Sequence, residues 1–227
     1  AGPFETSYRL ELSGLWIKTM RTKSVPASDD FAFSRYNAEP NDVRSWNIQG
    51  LPQDDFSTEN GVCVTEGRRW PLCVDPQRQA NMWIKKMEEP KGIKVVDQKM
   101  ANFIRELENA IQFGLPVLLE NVGEELDPSL EPLLLKQVFK SGGINCIRLG
   151  DSVVEYSDMF RFYMTTKLPN PHYLPEVCIK VTVINFTVTM QGLPAQLLAD
   201  VTTIERPDLE TKKETLVLQI ADGRKTI

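Results

Sequence analysis

The stretch RWPLCVDPQRQANMWIKKM (Arg69–Met87) constrains the fold of this chain more than any other part of it. An apolar run, WPLCVD, breaks at Asp75-Pro76 and resumes with helical periodicity through Ala80, Trp83, Ile84 and Met87. That is the strand–turn–helix opening of a nucleotide-binding α/β domain, at the point where a phosphate-cradling loop belongs. Such a loop needs glycines so that backbone N–H groups can approach the phosphates, a lysine for the terminal phosphate and a hydroxyl for Mg²⁺. Here the turn runs Asp75, Pro76, Gln77, Arg78, Gln79, Ala80 and has none of the three. The position fits a nucleotide site and the chemistry does not, so these residues are expected to form a vestigial one.

Downstream the alternation continues. The pattern predicts a strand over 70–75, a helix over 77–88 broken at Pro90 and Gly92, a strand over 93–96, and a helix over 100–113 closed by Gly114. A very apolar strand, PVLLENV (Pro116–Val122), leads to a helix predicted over 128–140, begun by Asp127 as cap with Pro128 in the first turn and ended by Gly142-Gly143. An apolar stretch NCIRLG, a short arm VVEY, a strand FRFYMTT (160–166), a loop KLPNPHYLPEV and a strand VTVINFTVT (181–189) follow. Short, β-branched strands separated mostly by helices make an α/β chain with a mainly parallel sheet covered on both faces. PVLLENV is the most continuously apolar of them and belongs inside the sheet. Upstream, 4–20 reads as a helix with Leu12, Leu15, Trp16 and Thr19 near one face. The segment 21–68 is less regular, with an amphipathic stretch VRSWNIQGLP and turn clusters at 52–55 and Asn60-Gly61. The tail, 194–227, is a helical pattern interrupted at Arg206-Pro207.

Composition narrows the classes. With 227 residues, 41% hydrophobic and 25% charged, the chain makes one or two globular domains with a sizeable core. A net charge of −5 without a basic run argues against nucleic acid or an anionic membrane as partner. Cys63, Cys73, Cys146 and Cys178 lack C-x-x-C spacing and read as reduced core residues of a cytosolic protein. No apolar run reaches membrane-span length. From AGPF at its start to GRKTI at its end, the chain reads as a piece of something longer.

Each candidate site in the chain also has a plainer reading. Glu120-Asn121 end PVLLENV where hydrolases of this architecture carry two acids. Glu120 retains the chemistry to accept a metal-bound water, but Asn121 is a neutral amide and cannot act as a general base. A polar strand end in a vestigial site is the plainer reading. Thr165 and Thr166 sit where a γ-phosphate sensor would, and read instead as strand-end hydrogen bonders. Glu124, Glu125 and Asp127 lack EF-hand spacing, and Asp127 is better explained as a helix cap. The single histidine, His172, has no nucleophile or ligand set beside it in sequence and reads as a loop residue. The motif G-R-K-T (223–226) follows a helix rather than a strand and so fails the context of a phosphate loop.

The words RWPLCVDPQRQANMWIK, PVLLENVGEELDPSLEPLLLKQVFK, RFYMTTKLPNPHYLPEVCIKVTVINFTVT and LLADVTTIERPDLE resemble the fifth AAA+ module of a dynein heavy chain. ENVGEELDP and TKLPNPHYLPEV favour an axonemal member over the cytoplasmic transport motor. The resemblance implies an AAA+ (P-loop NTPase-like) large subdomain, a five-stranded sheet in the order 5-1-4-3-2, over 69–192. It implies a helix and approach segment packed on the module at 1–68 and the start of a helical lid at 193–227. It also implies an ATP-driven microtubule motor built on a ring of six such modules, working in the axoneme of a cilium or flagellum. Within that ring this module would bind no cofactor and no metal, contact the fourth and sixth modules, and form the base of the strut that braces the stalk. Microtubules would be met only through the parent chain. Arg78 departs from the family pattern D-P-x-x-Q-A, where Gly often stands, and moves the turn further from a phosphate loop.

Three readings therefore compete. The first is a catalytically silent ring module that transmits motion. The second is a divergent hydrolase with weak residual ATP binding through Glu120 and the strand-end threonines, and the third a binding module acting through 21–68. The turn after Asp75 has no lysine, which separates the first from the second. Lys180 stands where cytoplasmic relatives carry Arg in C-x-R-V-T. Either it reaches in trans toward the nucleotide of the neighbouring module, without the bidentate fork of Arg, or it is a solvated lysine at a helix end.

Overall fold

A computed structural model of the chain describes residues 2–28, 31–150, 152–188, 193–206, 208, 212, 215 and 216. In chain order the first elements are α1 (Thr6–Thr22), α2 (Phe33–Asn37), α3 (Pro40–Ile48), α4 (Asp55–Thr65), β1 (Pro71–Val74), α5 (Gln79–Glu88), β2 (Lys94–Asp97), α6 (Phe103–Phe113) and β3 (Val117–Glu120). Then follow α7 (Glu131–Leu134), β4 (Phe139–Ser141), β5 (Ile144–Leu149), β6 (Ser152–Glu155), β7 (Phe162–Thr166), α8 (Pro175–Cys178), β8 (Thr182–Asn185) and α9 (Leu193–Glu205). No helix among the described residues is long and apolar enough to cross a membrane.

Five strands form one sheet in the order β2-β3-β7-β1-β8, with every pairing parallel. Counted in chain order within that sheet, this is 5-1-4-3-2, as expected. PVLLENV supplies the interior strand β3, while β7, buried at all five positions, is the middle one. Side chains alternate between the two faces, as a pleated strand requires. Leu72, Val117, Leu119, Phe162 and Met164 point into a core closed by α6 and α7. Cys73, Leu118, Tyr163 and Ile184 point the other way, into a core closed by α3, α4 and α5 through Trp46, Val62, Trp83 and Ile84. Both faces are dry, which is why the strands read as continuous apolar runs.

Helix ends follow local chemistry. At Gly114 the chain enters the left-handed region (φ 68°), and the Leu115 N–H returns to the Ala110 carbonyl at 2.9 Å, closing α6 with a Schellman turn. Asp54 caps α4 by accepting from the Ser57 N–H at 2.8 Å. Asp127 caps a 3₁₀ turn over Pro128–Leu130 through the Ser129 N–H at 2.8 Å.

Several sequence expectations need correction. No helix runs over 128–140: α7 stops at Leu134, Lys136 takes a left-handed φ of 51°, and Phe139–Ser141 becomes a strand. Gly142-Gly143 is a hairpin loop, not a helix stop. Ser141 pairs with Ile144, and both glycines have positive φ (60° and 87°), the requirement of a type I′ turn. NCIRLG and VVEY are β5 and β6 of the resulting antiparallel three-stranded sheet. Asn60-Gly61 is not a turn but lies inside α4, because Trp46 of α3 packs so closely that a Cβ on Gly61 would sit 2.9 Å from the indole. Only Cys73 is a core cysteine; Cys63 and Cys146 are half-buried and Cys178 is exposed. The predicted helix of the tail begins as α9, and most of 207–227, the G-R-K-T motif included, lies outside the described residues.

At the other end, the Asn185 N–H of edge strand β8 donates to the Gly2 carbonyl at 2.9 Å. Arg9 is the buried residue of α1. Its guanidinium donates to the Gly2 and Phe4 carbonyls, to Glu59 at 3.1 Å and to Asn60 at 2.6 Å, and lies 4.1 Å above the Phe56 ring. Asn60 in turn donates to the Asn185 carbonyl at 2.7 Å. One arginine thus ties α1 and α4 together, and Asn60 carries the tie on to the sheet edge.

Candidate functional site

In an open parallel sheet, ligands collect at the carboxyl ends of the strands. Here those ends are Asp75 after β1, Glu120-Asn121 at the end of β3 and Thr165-Thr166 at the end of β7. Asp75 is 1% exposed. Its Oδ1 accepts from the Gln79 N–H at 2.7 Å and its Oδ2 from the Asn81 N–H at 2.8 Å. These are the opening N–H groups of α5, which would otherwise be free to hold an anion. Asp75 also anchors the turn through its backbone, donating to the Thr166 carbonyl at 2.9 Å and accepting from the Arg78 N–H at 3.2 Å. Burial pushes the Asp75 carboxyl up, and the N–H groups of Asn81, Gln79 and Ala80 together with Arg78 offset that only in part. Pro76 is half-buried and Gln77 exposed.

Arg78 turns into the left-handed region (φ 62°) to start α5, an unfavourable choice for a side-chain-bearing residue and the reason Gly is at home there. Its guanidinium reaches the Asn81 Oδ1 at 3.4 Å and lies 3.9 Å from Glu120. Glu120 Oε1 accepts from Lys85 at 2.5 Å and from the Asn81 amide at 2.7 Å. Burial raises the Glu120 carboxyl, but the bonds and charges of Lys85, Asn81 and Arg78 outweigh it, leaving the group below its ordinary value. Thr165, 4% exposed, accepts from the same Asn81 amide at 3.3 Å. Thr166, 1% exposed, accepts from the Leu168 N–H at 3.2 Å. Asn121, at φ 54°, turns away and donates to Asp97 at 2.8 Å.

The sequence-named residues thus converge at one rim, with two partners that sequence reasoning missed. Asn81 joins Asp75, Glu120 and Thr165, and Lys85 neutralises Glu120. A signal existed: Arg78, Asn81 and Lys85 follow at i, i+3 and i+7, one face of a helix. Lys180 is elsewhere, just before the amino end of β8, where its ammonium pairs with Glu131 at 2.6 Å. His172 is exposed and its backbone N–H contacts Glu124 at 3.3 Å. The described residues hold no grouping of His, Cys, Asp and Glu fit for a metal ion.

Chemically, the mouth of α5 is filled from within. An incoming phosphate would compete for N–H groups already held by a carboxylate, and at an effective dielectric near 20 two unit charges about 4 Å apart repel by roughly 4 kcal/mol.

Among known proteins, the profile of the family described as "ATP-binding dynein motor region" matches residues 44–227. Dynein axonemal heavy chain 6 of Homo sapiens is 54% identical over 219 residues, covering 96% of this chain and 5% of that protein. Dynein axonemal heavy chain 2 of Mus musculus is 54% identical over 227 residues, covering 100% and 5%. The Dynein-1-beta heavy chain of the flagellar inner arm I1 complex of Chlamydomonas reinhardtii is 53% identical over 228 residues, again 100% and 5%. The chain therefore spans about 5% of the length of these relatives.

Proposed function

This chain belongs to the family of ATP-binding dynein motor regions, and from that premise we propose that it is a catalytically silent module of an axonemal dynein heavy chain. It stands fifth in the AAA+ ring and passes conformational change between the fourth and sixth modules and the strut that braces the stalk. The parent chain hydrolyses ATP and meets microtubules in the axoneme of a cilium or flagellum. This reading follows from relatives named as axonemal and flagellar heavy chains.

One observation carries the silence. The carboxylate of Asp75 occupies the start of α5, bonded to the N–H groups of Gln79 and Asn81, in the place where a phosphate would lie. Without a phosphate loop, a lysine for the γ-phosphate or a second acid beside Glu120, the site lacks the electrostatic stabilisation that phosphoryl transfer requires. Pro76, Gln77, Arg78, Gln79, Asn121, Thr165 and Thr166 are then scaffold rather than ligands, and the module needs no cofactor or metal. Lys180 is the one residue of the module that we assign toward a neighbouring nucleotide. Reaching it requires exchange of its Glu131 partner for the γ-phosphate of the fourth module.

The test is a thermal melt of the chain with and without 5 mM ATP and Mg²⁺, on the order of a hundred times a dissociation constant of about 50 μM, where true binding adds about 2–3 kcal/mol. No Mg²⁺-dependent rise in Tm is expected. A clear rise would replace this reading with a divergent nucleotide-binding module.

A further inference from the structure

Along α1, the face that the sequence marks as apolar lies open. Arg9 is buried, and Ser13, Ile17 and Met20 are half-buried on the same side of the helix. Tyr8, Leu12, Leu15 and Thr19 line another side, in solvent. Tyr8 is 61% exposed, Leu15 59%, and Trp16, at the margin of that side, 60%. The exposed Phe4 ring, 6.1 Å from that of Tyr8, extends the stripe beyond the helix start. A contiguous apolar stripe of this length is rare on the surface of a monomer and marks an interaction site. Its spacing of four, three and four residues is that of a coiled-coil seam, with Tyr8 and Leu15 at d positions and Leu12 and Thr19 at a.

Charge on the flank completes the pattern. At about 100° per residue, Glu11 and Lys18 fall on one flank of the seam, both at g positions. Both are exposed, and neither has an ion-pair partner among the described residues. They lie about 10 Å apart along the axis, too far to pair within one helix. A two-fold axis at the midpoint between Leu12 and Leu15 turns one copy of α1 end to end against another. It sets Leu12 of each against Leu15 of the other, and Tyr8 against Thr19. The same operation sets Glu11 of each beside Lys18 of the other, because g meets g across an antiparallel pair.

We propose that α1 docks a second copy of this chain, as an antiparallel helix pair with Tyr8, Leu12, Leu15 and Thr19 in the seam and two Glu11–Lys18 ion pairs on its flank. The acid and the base stand toward opposite ends of the stripe, so a partner with the reverse order satisfies both. The same helix turned end to end has that order. An anionic lipid surface would attract Lys18 but repel Glu11. The pair uses none of the residues of the strand-end rim and does not depend on whether that rim binds nucleotide.

The measurement is sedimentation equilibrium of the chain from about 1 to about 100 μM, the range of a small, transient interface. The mean mass is expected to rise from 25.8 kDa toward twice that value. Leu15→Ser, at a solvent-exposed position, should weaken association about ten-fold or more while the circular dichroism spectrum stays the same. Glu11→Lys and Lys18→Glu should each weaken it about five-fold, since each sets like charges together twice. An equimolar mixture of these two variants should regain it, because every flank contact between them joins opposite charges. A mass of 25.8 kDa throughout the range, association unchanged by Leu15→Ser, or a mixture that associates no better than either charge variant alone would each overturn the proposal.

Discussion

Replacing Asp75 by alanine removes the acceptor for two backbone N–H groups at once, in a site closed to water. The expected cost is about 1–3 kcal/mol, combining the loss of a helix cap with buried donors left unpaired. In a chain of this size that lowers Tm by roughly 2–4 °C per kcal/mol, readable by calorimetry. Asp75→Asn keeps one oxygen acceptor and should fall between the two. The carboxylates of the rim also set the response to acid. Glu120 is held below its ordinary value because Lys85 and Asn81 outweigh burial. Asp97 is held low by the Lys99 N–H and the Asn121 amide. A carboxyl depressed by folding stabilises the native state above its unfolded pKa, about 4, and loses that contribution as pH falls through the lower, folded value. Asp75, shifted up, acts with the opposite sign and softens the loss. Urea midpoints measured between pH 6 and pH 3 should therefore fall with acid, and fall less steeply in Lys85→Met, which releases Glu120 from its cation. Equal slopes would remove the Lys85–Glu120 contact as the cause.

At the scale of elements, two glycines decide which helices and turns the chain can form. Gly61 lets α3 lie against α4 with the Trp46 indole in the place a methyl group would need. Gly61→Ala improves helix propensity by about 1 kcal/mol but overpacks the contact by roughly 1–3 kcal/mol. A net destabilisation is expected, with a change in near-UV circular dichroism as the indole shifts. Gly143, at φ 87°, completes the loop between β4 and β5. Gly143→Ala places a Cβ in the left-handed region at a cost of about 1–2 kcal/mol. Because the hairpin is a separate sheet, hydrogen exchange should quicken in β4–β6 and remain slow in the parallel strands. Uniform quickening would mean that the two sheets open as one unit.

Across the whole molecule, the coupling of parts runs through Arg9. It joins α1 to α4, while Asn60 and the Gly2 carbonyl carry the connection to β8. Arg9→Ala leaves Glu59 and Asn60 without their partner and should cost about 2–4 kcal/mol. Limited proteolysis should then cut within 2–22 while the five-stranded core survives. If α1 stays protected, its attachment rests on contacts other than this arginine.

Much of this protein was determined by sequence alone. Apolar runs separated by helical periods specify a parallel sheet dry on both faces, because no other arrangement covers such strands. That the turn after Asp75 has no glycine, lysine or hydroxyl is legible in the sequence wherever the turn is put. Gly114 announced the end of α6 because a left-handed residue is a local demand. What only the tertiary structure decided involves partners distant in the chain. Gly142-Gly143 suits a helix stop or a hairpin equally well until Phe139–Ser141 finds Ile144–Cys146 to pair with. Asn60-Gly61 suits a turn until Trp46 demands the space. Asn81 and Lys85 are ordinary helix residues in one dimension. They become the counterweights of Glu120, a residue 39 positions beyond Asn81 along the chain, only when β3 is laid beside α5. Local patterns record what one segment requires of itself, whereas the balance of charge at a buried rim depends on which segments the fold brings together.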